Sequence, residues 1–403
     1  MKKRILFVMH YLEIGGAETA LIGLLNAIDY SKYDVDLFLH SHRGEMLAFV
    51  PKEVNLLPEI PLYAQIERPM KAVIKEGYFQ IAFARLWAKI QTRLYLARRH
   101  VRQSVAGLQY IAESVTPILP EINPTVEYDI AVSFLNPHNI VRDKVQAHKK
   151  VCWIHTDYSM IDVNVRQELP IWESFDQIIS ISDDVTKTFL KTFPSLSSKI
   201  VLVENILSPE FIRCRAEEFD ASLEYGSFFK NNEDTIVLLS IGRFSYPKNF
   251  ENIPDICRVI AKSHCHIAWF IIGYGEGEGL IRQRIKETGM ENHVFILGKK
   301  TNPYPYIKSC DIYVQPSRYE GKSVTVREAQ VLCKPIAVTN YPTASSQIHD
   351  GIDGVIVPLD NDGCANGIYC LMQDSLKQAS IVQYLKTHDY GNESAVSAFY
   401  DLV

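Results

Sequence analysis

Cysteine pairs, long apolar runs and an excess of positive charge are all absent from this 403-residue chain. Its eight cysteines form no Cys-x-x-Cys pair and stand mostly among apolar residues, so we expect buried, reduced thiols of a cytoplasmic protein. No apolar stretch approaches the roughly 18–20 residues that a membrane-spanning helix needs. With a formal net charge of −5, the chain also lacks the basic footprint of a nucleic-acid-binding protein.

The length and the hydrophobic content predict two globular domains. A chain of 403 residues that is 47% hydrophobic can fill two cores of ordinary size. The amino terminus, residues 1–9, has the charges and apolar residues of a signal peptide in the right order. The apolar run is too short, however, and no small-residue cleavage site follows it before Glu13, so we expect no secretory signal.

A strand-to-helix turn at residues 316–328 is the most informative segment of the chain. The apolar run 311–315 before it predicts a buried strand, and residues 329–332 after it predict a helix. Open parallel sheets bind their ligands at such turns, and the N–H groups at a helix start suit a phosphate. The residues whose backbone N–H groups can reach a phosphate here are Lys322, Ser323 and Val324.

Two carboxylates, Glu320 and Glu328, flank this helix start with seven residues between them. Carboxylates accept hydrogen bonds from hydroxyls, so the segment fits a phosphate that carries a sugar on each side, as in a nucleotide sugar. An alternative remains open for Glu328, because Thr325-x-x-Glu328 is also a capping box that would begin the helix.

A second charged loop follows the predicted strand 235–241. Arg243 and Lys248 lie five residues apart on this loop, and together they can bracket a diphosphate. Arginine supplies a planar fork of donors and lysine supplies a point charge. The alternative is that both residues are ordinary surface charges.

The two patterns together resemble those of family four retaining glycosyltransferases. The shared features are Pro-Ser before Glu-x7-Glu, with Glu-Gly at its start and Glu-Ala at its end, and Gly-Arg-x4-Lys earlier in the chain. The resemblance implies that Glu320 contacts hydroxyls of the transferred sugar and that Glu328 contacts those of the ribose. It also implies that Arg243 and Lys248 neutralise the departing diphosphate, and that transfer retains the anomeric configuration.

Further residues acquire a predicted role through the same resemblance. Gly15 and Gly16 correspond to a loop that faces the donor phosphates, although paired glycines also suit an ordinary helix start. His155 follows a predicted strand and is similar to the family's histidine that contacts the donor sugar, although a lone histidine is more often structural. The loop at Gly298 and Lys299 corresponds to the one whose backbone edges the base.

The resemblance implies an α/β fold of the GT-B class. In this class two Rossmann-like domains with parallel sheets face each other across a cleft, and a C-terminal helix crosses back to the first domain. We expect an acceptor-side domain at residues 1–205 with a basic helical insertion near 64–115, a nucleotide-sugar-binding domain at 206–385, and the returning helix at 386–403. Lys322 stands where the family often has phenylalanine, so the identity of the donor hexose stays open.

The segment 68–103 is basic and has the apolar spacing of an amphipathic helix. Nine lysines and arginines stand there against one acid, Glu76. Such helices lie on anionic membrane surfaces, where each nearby cation contributes about 1 kcal/mol. The alternative is a helix that packs its apolar stripe on the domain. The candidates for contact with the membrane are Arg85, Lys89, Arg93, Arg98, Arg99 and Arg102.

No metal ion and no cofactor are expected. The D-x-D string at residues 34–36 has the form that binds a divalent ion in metal-dependent glycosyltransferases. In those enzymes the string ends a strand, whereas in this chain it begins a predicted strand. We therefore interpret the two aspartates as solvated polar residues at a sheet edge.

These patterns predict transfer of a hexose from a nucleoside diphosphate sugar, UDP-linked, to a saccharide or lipid-linked acceptor in cell-surface polysaccharide synthesis. The predicted catalytic residues are Glu320, His155, Arg243 and Lys248. The alternatives are a UDP-sugar 2-epimerase of the same architecture and a non-catalytic sugar- or membrane-binding protein. We expect a cytoplasmic location with peripheral contact to an anionic membrane, and no nucleic-acid partner.

Overall fold

Two compact units make up the chain. The computed structural model describes residues 2–13, 15–99, 104–156, 158, 161–227, 235–263, 266–320 and 322–403. The first unit consists of Met1–Leu207 and Asn392–Val403, and the second of Ser208–Gly391. The boundaries lie a few residues beyond the expected positions 205 and 385.

The first unit is built on a sheet of seven parallel strands. These strands are β1 (Lys3–Met9), β2 (Tyr33–Leu39), β3 (Asn55–Leu56), β4 (Tyr128–Ser133), β5 (Ala147–Ile154), β6 (Gln177–Ser180) and β7 (Ile200–Leu202). Their order in the sheet is β3-β2-β1-β4-β5-β6-β7. The last five residues of β1 are all buried, as expected for a parallel sheet with both faces covered, which is why such strands are continuous apolar runs in the sequence.

Helices connect these strands. They are α1 (Gly16–Ala27), α2 (Pro61–Ala64), α3 (Met70–Lys75), α4 (Phe79–Arg99), α5 (Ala106–Val115), α6 (Asn139–Lys144), α7 (Val165–Glu173) and α8 (Asp183–Thr192). The helices α2 to α5 occupy the segment in which a basic helical insertion was expected. Within the described part of the chain, no helix combines the length and the apolar character needed to cross a membrane.

The second unit contains a six-stranded parallel sheet. Its strands are β8 (Ile236–Ile241), β9 (Ile267–Ile272), β10 (Val294–Gly298), β11 (Ile312–Gln315), β12 (Ile336–Thr339) and β13 (Val355–Val357). Their order is β10-β9-β8-β11-β12-β13, so the direction of winding reverses between β8 and β11. Open α/β sheets bind ligands at the carboxyl ends of strands at such a reversal.

The helices of the second unit surround this sheet and its core. They are α9 (Pro209–Ala216), α10 (Ser222–Gly226), α11 (Ile253–Ala261), α12 (Glu278–Thr288), α13 (Tyr304–Ser309), α14 (Val324–Val331), α15 (Asn361–Gln373) and α16 (Ser375–Thr387). A buried polar link joins the three central strands. The indole N–H of Trp269 donates to the hydroxyl of Ser240 at 3.0 Å, and that hydroxyl donates to the carbonyl of Val314 at 2.7 Å.

The chain ends in a short helix, α17 (Val396–Tyr400), which belongs to the first unit. Phe399 stacks on Phe7 of β1 with ring centroids 5.6 Å apart. The hydroxyl of Tyr400 accepts a hydrogen bond from the backbone N–H of Asp29 at 2.7 Å. The predicted return of the C-terminal helix to the first domain is therefore confirmed.

The D-x-D string lies in β2, and the interpretation as solvated polarity is wrong for one of its acids. Asp36 is half-buried and accepts hydrogen bonds from the hydroxyl of Tyr128 at 2.5 Å and from the side-chain amide of Asn55 at 2.8 Å. Asp34 is exposed and pairs with Lys2 at 3.4 Å. Asp36 therefore fastens β2 to β3 and β4 through side chains that the local sequence does not reveal.

Candidate active site

The loops that follow β8 and β11 are joined at the carboxyl edge of the second sheet. The guanidinium of Arg318 donates to the carbonyl of Tyr246 at 2.6 Å and lies over its ring, 4.1 Å from the centroid. Asn249 adopts a left-handed conformation with φ of 62° and donates to the carbonyl of Pro316 at 2.9 Å. Because Asn249 is also buried, these contacts hold the two predicted site loops side by side.

Lys248 and Glu320 form a close ion pair at this edge. The ammonium nitrogen of Lys248 lies 2.6 and 2.8 Å from the two carboxylate oxygens of Glu320. One of these oxygens also accepts from the hydroxyl of Ser317 at 2.6 Å and from the side-chain amide of Gln315 at 3.2 Å. The lysine side chain is 22% exposed and the glutamate side chain 10% exposed, so the pair is fixed but open on one side.

Arg243 lies on the same loop as Lys248 but points into solvent. Its side chain is exposed and makes no hydrogen bond or ion pair with any residue that the structure describes. The neighbouring Phe244 is buried and anchors the loop. A guanidinium with unused donors next to the lysine–glutamate pair can accept an anionic ligand without breaking a contact of the protein.

The start of α14 differs from the prediction at one of its three backbone donors. The N–H of Ser323 donates to the side-chain oxygen of Gln347 at 3.0 Å, and the amide of Gln347 donates back to the carbonyl of Ser323 at 2.6 Å. Ser323 is therefore buried and its N–H is already used, whereas the N–H of Val324 donates to no described residue. Lys322 is exposed beside them.

Glu328 lies inside α14 and is buried, with only 4% of the residue's surface exposed. The hydroxyl of Tyr304 donates to it at 3.1 Å, but burial dominates and raises the pKa of Glu328 to about 8. The alternative of a capping box is wrong, because the N-cap is Ser323 and Thr325 is already helical. At neutral pH Glu328 is thus largely an uncharged hydrogen-bonding group.

Two glycine positions let the loop after β9 pack against the loop after β8. A Cβ atom at Gly273, where φ is +156°, would lie 1.9 Å from the carbonyl oxygen of Gly242. At Gly275 it would lie 2.7 Å from the carbonyl oxygen of Phe244. The backbone N–H of Phe244 donates to the carbonyl of Tyr274 at 2.8 Å, which completes the contact. These glycines thus support the loop that carries Arg243 and Lys248.

The end of β10 is tied to the same loops. The carbonyl of Gly298, whose φ is +71°, accepts a hydrogen bond from the N–H of Gly273 at 3.0 Å. The ammonium nitrogen of Lys299 lies 5.4 Å from the ring centroid of Tyr274. Both predicted base-side residues therefore share one edge of the sheet with the diphosphate candidates.

In the first unit, Gly15 and Gly16 form the start of α1. Gly15 is the N-cap, and a Cβ atom there would meet the flexible carboxylate of Glu18 at 2.2 Å. At Gly16 an added Cβ would meet nothing within 4 Å among the described residues. Contacts with the described residues therefore do not explain Gly16.

His155 follows β5, as predicted, with its ring packed between aromatic neighbours. Its centroid lies 4.7 Å from that of Phe134 and 5.9 Å from that of Trp153. Burial lowers the pKa of His155 to about 3, and its Nε2 has no hydrogen-bond partner among the described residues. The ring is thus neutral and can exchange hydrogen bonds with a hydroxyl, but it cannot serve as a cation.

Three further histidines lie at the same edge of the first sheet, and the sequence interpretation missed them. His10 follows β1 and stacks on His40, which follows β2, with centroids 4.7 Å apart. The Nδ1 of His10 lies 3.0 Å from a carboxylate oxygen of Glu67. His138 is buried beyond β4, and its Nδ1 lies 2.7 Å from the hydroxyl of Ser133. The signal for His10 and His40 was readable, because each directly follows an apolar strand.

The residues predicted to face a membrane do not share one environment. Arg85 does not fit the prediction, because its guanidinium donates to the backbone carbonyls of Gln65 and Arg68 at 2.9 and 2.7 Å. Arg102 lies outside the described residues. The remaining candidates are exposed along α4, and they are Lys89, Arg93, Arg98 and Arg99.

Two parallel α/β units of this kind define the GT-B class of proteins, and solved structures confirm the fold. A mutant of S. aureus TarM in complex with Fondaparinux, alpha-GlcNAc-glycerol and UDP aligns with a TM-score of 0.66 at 12% sequence identity, covering 99% of each chain. This likeness shows the fold. Residues 226–388 match the family model described as "Glycosyl transferases group 1". The chain therefore has the GT-B fold that the resemblance implied, and the residues that match the family model lie in its second unit.

Curated relatives carry names of the same kind. An uncharacterized glycosyltransferase of Haemophilus influenzae is 22% identical over 404 residues, which cover 98% of this chain and 98% of that protein. The N-acetylgalactosamine-N,N'-diacetylbacillosaminyl-diphospho-undecaprenol 4-alpha-N-acetylgalactosaminyltransferase of Campylobacter jejuni is 25% identical over 152 residues, 37% of this chain and 41% of that protein. The match thus spans about two fifths of the length of that relative, and the same holds for a relative from Methanocaldococcus jannaschii.

Proposed function

We propose that this protein is a retaining glycosyltransferase that moves a hexose from a UDP-sugar to a saccharide or lipid-linked acceptor in polysaccharide synthesis. The observation that carries the proposal is the Lys248–Glu320 pair, 2.6 Å apart, at the carboxyl edge between β8 and β11. It lies within the matched domain, next to Arg243 and the start of α14. The TarM structure contains UDP, and the name of the Campylobacter relative contains a diphospho-undecaprenol-linked saccharide.

In this proposal the two cations neutralise the diphosphate and Glu320 orients the sugar. An ammonium group has three N–H donors, so Lys248 can keep its contact with Glu320 and still donate to a phosphate oxygen. Arg243 supplies a planar fork of donors that fits two phosphate oxygens. Positive charge placed where the leaving diphosphate develops its negative charge lowers the barrier to departure, and it does so without a metal ion.

Two of the proposed hydroxyl-binding groups, Glu328 and His155, are uncharged. Glu328 is uncharged at neutral pH because burial raises its pKa to about 8, so it serves the ribose as a hydrogen-bond partner rather than as a counter-ion. The neutral ring of His155 suits a sugar hydroxyl for the same reason. The N–H of Val324 completes the proposed phosphate contacts of the second unit, and Gly15 and Gly16 remain the candidate phosphate-binding loop of the first unit.

Release of UDP from a panel of UDP-sugars, with and without saccharide acceptors, tests the proposal. Arg243→Ala should lower turnover by about two orders of magnitude, as expected when one preorganised charge is removed from the transition state. Arg258→Ala is the matched control, because Arg258 lies on α11 of the same unit and pairs with Asp255 at 3.2 Å. Wild-type turnover in Arg243→Ala would contradict the assigned role, and a changed sugar without acceptor would indicate an epimerase.

We also propose that α4 holds the enzyme on an anionic membrane surface. Six large apolar side chains at helical spacing are between 41% and 72% exposed, and they are Phe79, Phe83, Leu86, Trp87, Ile90 and Leu94. Exposed cations accompany them on the same helix. An amphipathic helix of this composition buries its apolar face at the lipid boundary and its cations against anionic headgroups.

Flotation with phosphatidylglycerol vesicles tests the membrane contact. The wild type should float with these vesicles and remain at the bottom with neutral phosphatidylcholine vesicles. Lys89→Glu combined with Arg93→Glu should abolish flotation, because two attractive charges become repulsive. Equal flotation of the variant and the wild type would contradict the proposal.

A further inference from the structure

Two adjoining cavities lie along α4 in the first unit, and a third adjoins them between α5 and α7. The first, of about 630 Å³, lies between α4, α5 and the start of α7. It shares Gln91 with a second cavity of about 550 Å³ and shares Tyr110, Asn164 and Arg166 with a third of about 510 Å³. We call this feature the α4 groove. None of the residues placed in the candidate active site lines it.

One end of the α4 groove is strongly basic. Arg98, Arg99 and Arg166 line the first cavity, and no acidic residue stands among its described lining residues. Arg99 pairs with the nearby Asp162 at 3.6 Å. Arg98 and Arg166 are exposed, and neither makes an ion pair or hydrogen bond with a described residue. Two unused guanidinium groups at one cavity fit an anion with several oxygens, because each can donate two parallel hydrogen bonds.

Polar groups complete this basic end. The side-chain amide of Asn164 donates to the hydroxyl of Tyr110 at 3.0 Å, and the hydroxyl of Tyr95 donates to the carbonyl of Val163 at 3.2 Å. Helix α7 begins at Val165 on the cavity wall, so its positive dipole end adds to the charge of the arginines. The lining is therefore suited to phosphate oxygens rather than to a neutral ligand.

The other end of the α4 groove is mainly apolar, although Glu113 also lines it. Phe83, Trp87 and Ile118 line the second cavity, and the first two are 72% and 52% exposed. Trp87 and Arg98 are separated by about 16 Å along the helix axis, at 1.5 Å per residue. The apolar end also continues into the exposed stripe of α4. A ligand that fills the groove thus needs a phosphate group at the arginines and a hydrocarbon chain that extends from it towards Trp87.

We propose that the α4 groove binds the diphosphate and the first hydrocarbon units of a long-chain lipid diphosphate, the carrier of a lipid-linked acceptor. This proposal rests on the proposed function for the identity of the acceptor. The arginines and the aromatic side chains of the groove support the binding of a lipid diphosphate independently. The guanidinium groups of Arg98 and Arg166 hold the diphosphate. Phe83 and Trp87 cover the start of the tail, whose remainder stays in the bilayer against the exposed stripe.

Farnesyl diphosphate is a short probe that carries both required parts. It should raise the melting temperature of the wild type, whereas farnesol and inorganic diphosphate at equal concentration should raise it much less. Arg98→Gln combined with Arg166→Gln should weaken the binding of farnesyl diphosphate at least tenfold. Lys52→Gln combined with Lys191→Gln, which removes the same charge from exposed positions of the first unit outside α4, should leave this binding unchanged.

Each alternative outcome overturns the proposal. Equal binding by the groove variant and the control variant would show that general positive charge suffices. Inorganic diphosphate that binds as tightly as farnesyl diphosphate would remove the lipid part of the proposal. Short-chain, monomeric phosphatidylglycerol that displaces farnesyl diphosphate fully would identify a bilayer headgroup as the ligand instead.

Measurements with UDP keep this inference separate from the proposed function. Stabilisation by UDP should be the same in the groove variant and the wild type, which also shows that the variant folds. Loss of farnesyl diphosphate binding with normal UDP release would leave the glycosyltransferase assignment intact. Binding of farnesyl diphosphate without UDP release from any UDP-sugar would leave the groove assignment intact and remove the proposed function.

Discussion

Replacing Glu328 with glutamine should stabilise the second unit at alkaline pH and leave it almost unchanged at acidic pH. The carboxyl is buried, and burial raises its pKa from 4.5 to about 8. The folded chain therefore keeps a proton that the unfolded chain releases above pH 4.5. Its stabilising contribution is fully present below pH 4.5 and is lost as the pH rises through about 8. A glutamine side chain does not titrate, and its oxygen can still accept the hydrogen bond from Tyr304.

The expected magnitude follows from the width of this pH window. Each unit of pKa shift corresponds to about 1.4 kcal/mol, so the wild type loses on the order of 5 kcal/mol of unfolding free energy as the pH rises through this window. A domain of 150–250 residues gains roughly 2–4 °C in melting temperature per kcal/mol. Glu328→Gln should therefore melt on the order of 10 °C above the wild type at about pH 9, and close to it at about pH 5.

Thermal melts of the full chain at several pH values between these limits measure the effect. Glu291→Gln is the matched control, because Glu291 is an exposed acid of the same unit. Its melting temperature should follow that of the wild type at every pH. If the wild type and Glu328→Gln give parallel curves of melting temperature against pH, Glu328 is ionised in the folded chain and the pKa assignment fails.

Two further predictions concern the support of the site. In a double-mutant cycle of Lys248→Met and Glu320→Gln, urea unfolding should show a coupling energy of about 1–2 kcal/mol, because the pair is partly buried; additive effects would mean that the two charges do not interact. Gly273→Ala should destabilise the second unit by more than about 2 kcal/mol, because its Cβ would lie 1.9 Å from a carbonyl oxygen. Gly16→Ala should have no such effect, because the added Cβ would meet no described residue within 4 Å. Equal melting temperatures of the two variants would refute the contact argument.

The sheets were predictable because parallel strands with both faces covered are continuous apolar runs. The expected strand 311–315 is observed as Ile312–Gln315, and the expected strand 150–154 as Ala147–Ile154. The short edge strand Asn55–Leu56 was missed, because two residues carry no periodicity. Strand ends and the loops after them were therefore visible in the sequence, and with them the positions of Arg243 and His155.

Contacts between distant segments were not predictable. Lys248 and Glu320 are 72 residues apart, so a spacing rule for each loop could not show that they form an ion pair. The N–H of Ser323 donates a hydrogen bond to Gln347, which lies 24 residues further along the chain. The raised pKa of Glu328 likewise depends on burial by the whole unit. The sequence located the charged groups, and tertiary packing decided which of them remain available to a ligand.

Binding of UDP to the full chain, measured by isothermal titration calorimetry, tests most directly whether the edge between β8 and β11 holds a nucleoside diphosphate. Lys248→Met should weaken this binding roughly 10- to 150-fold, because one charge-assisted hydrogen bond contributes about 1.5–3 kcal/mol. Lys262→Met, which removes an exposed lysine from the same unit, should bind UDP like the wild type. Unchanged affinity in Lys248→Met, or no binding of UDP to the wild type, would contradict the proposed site.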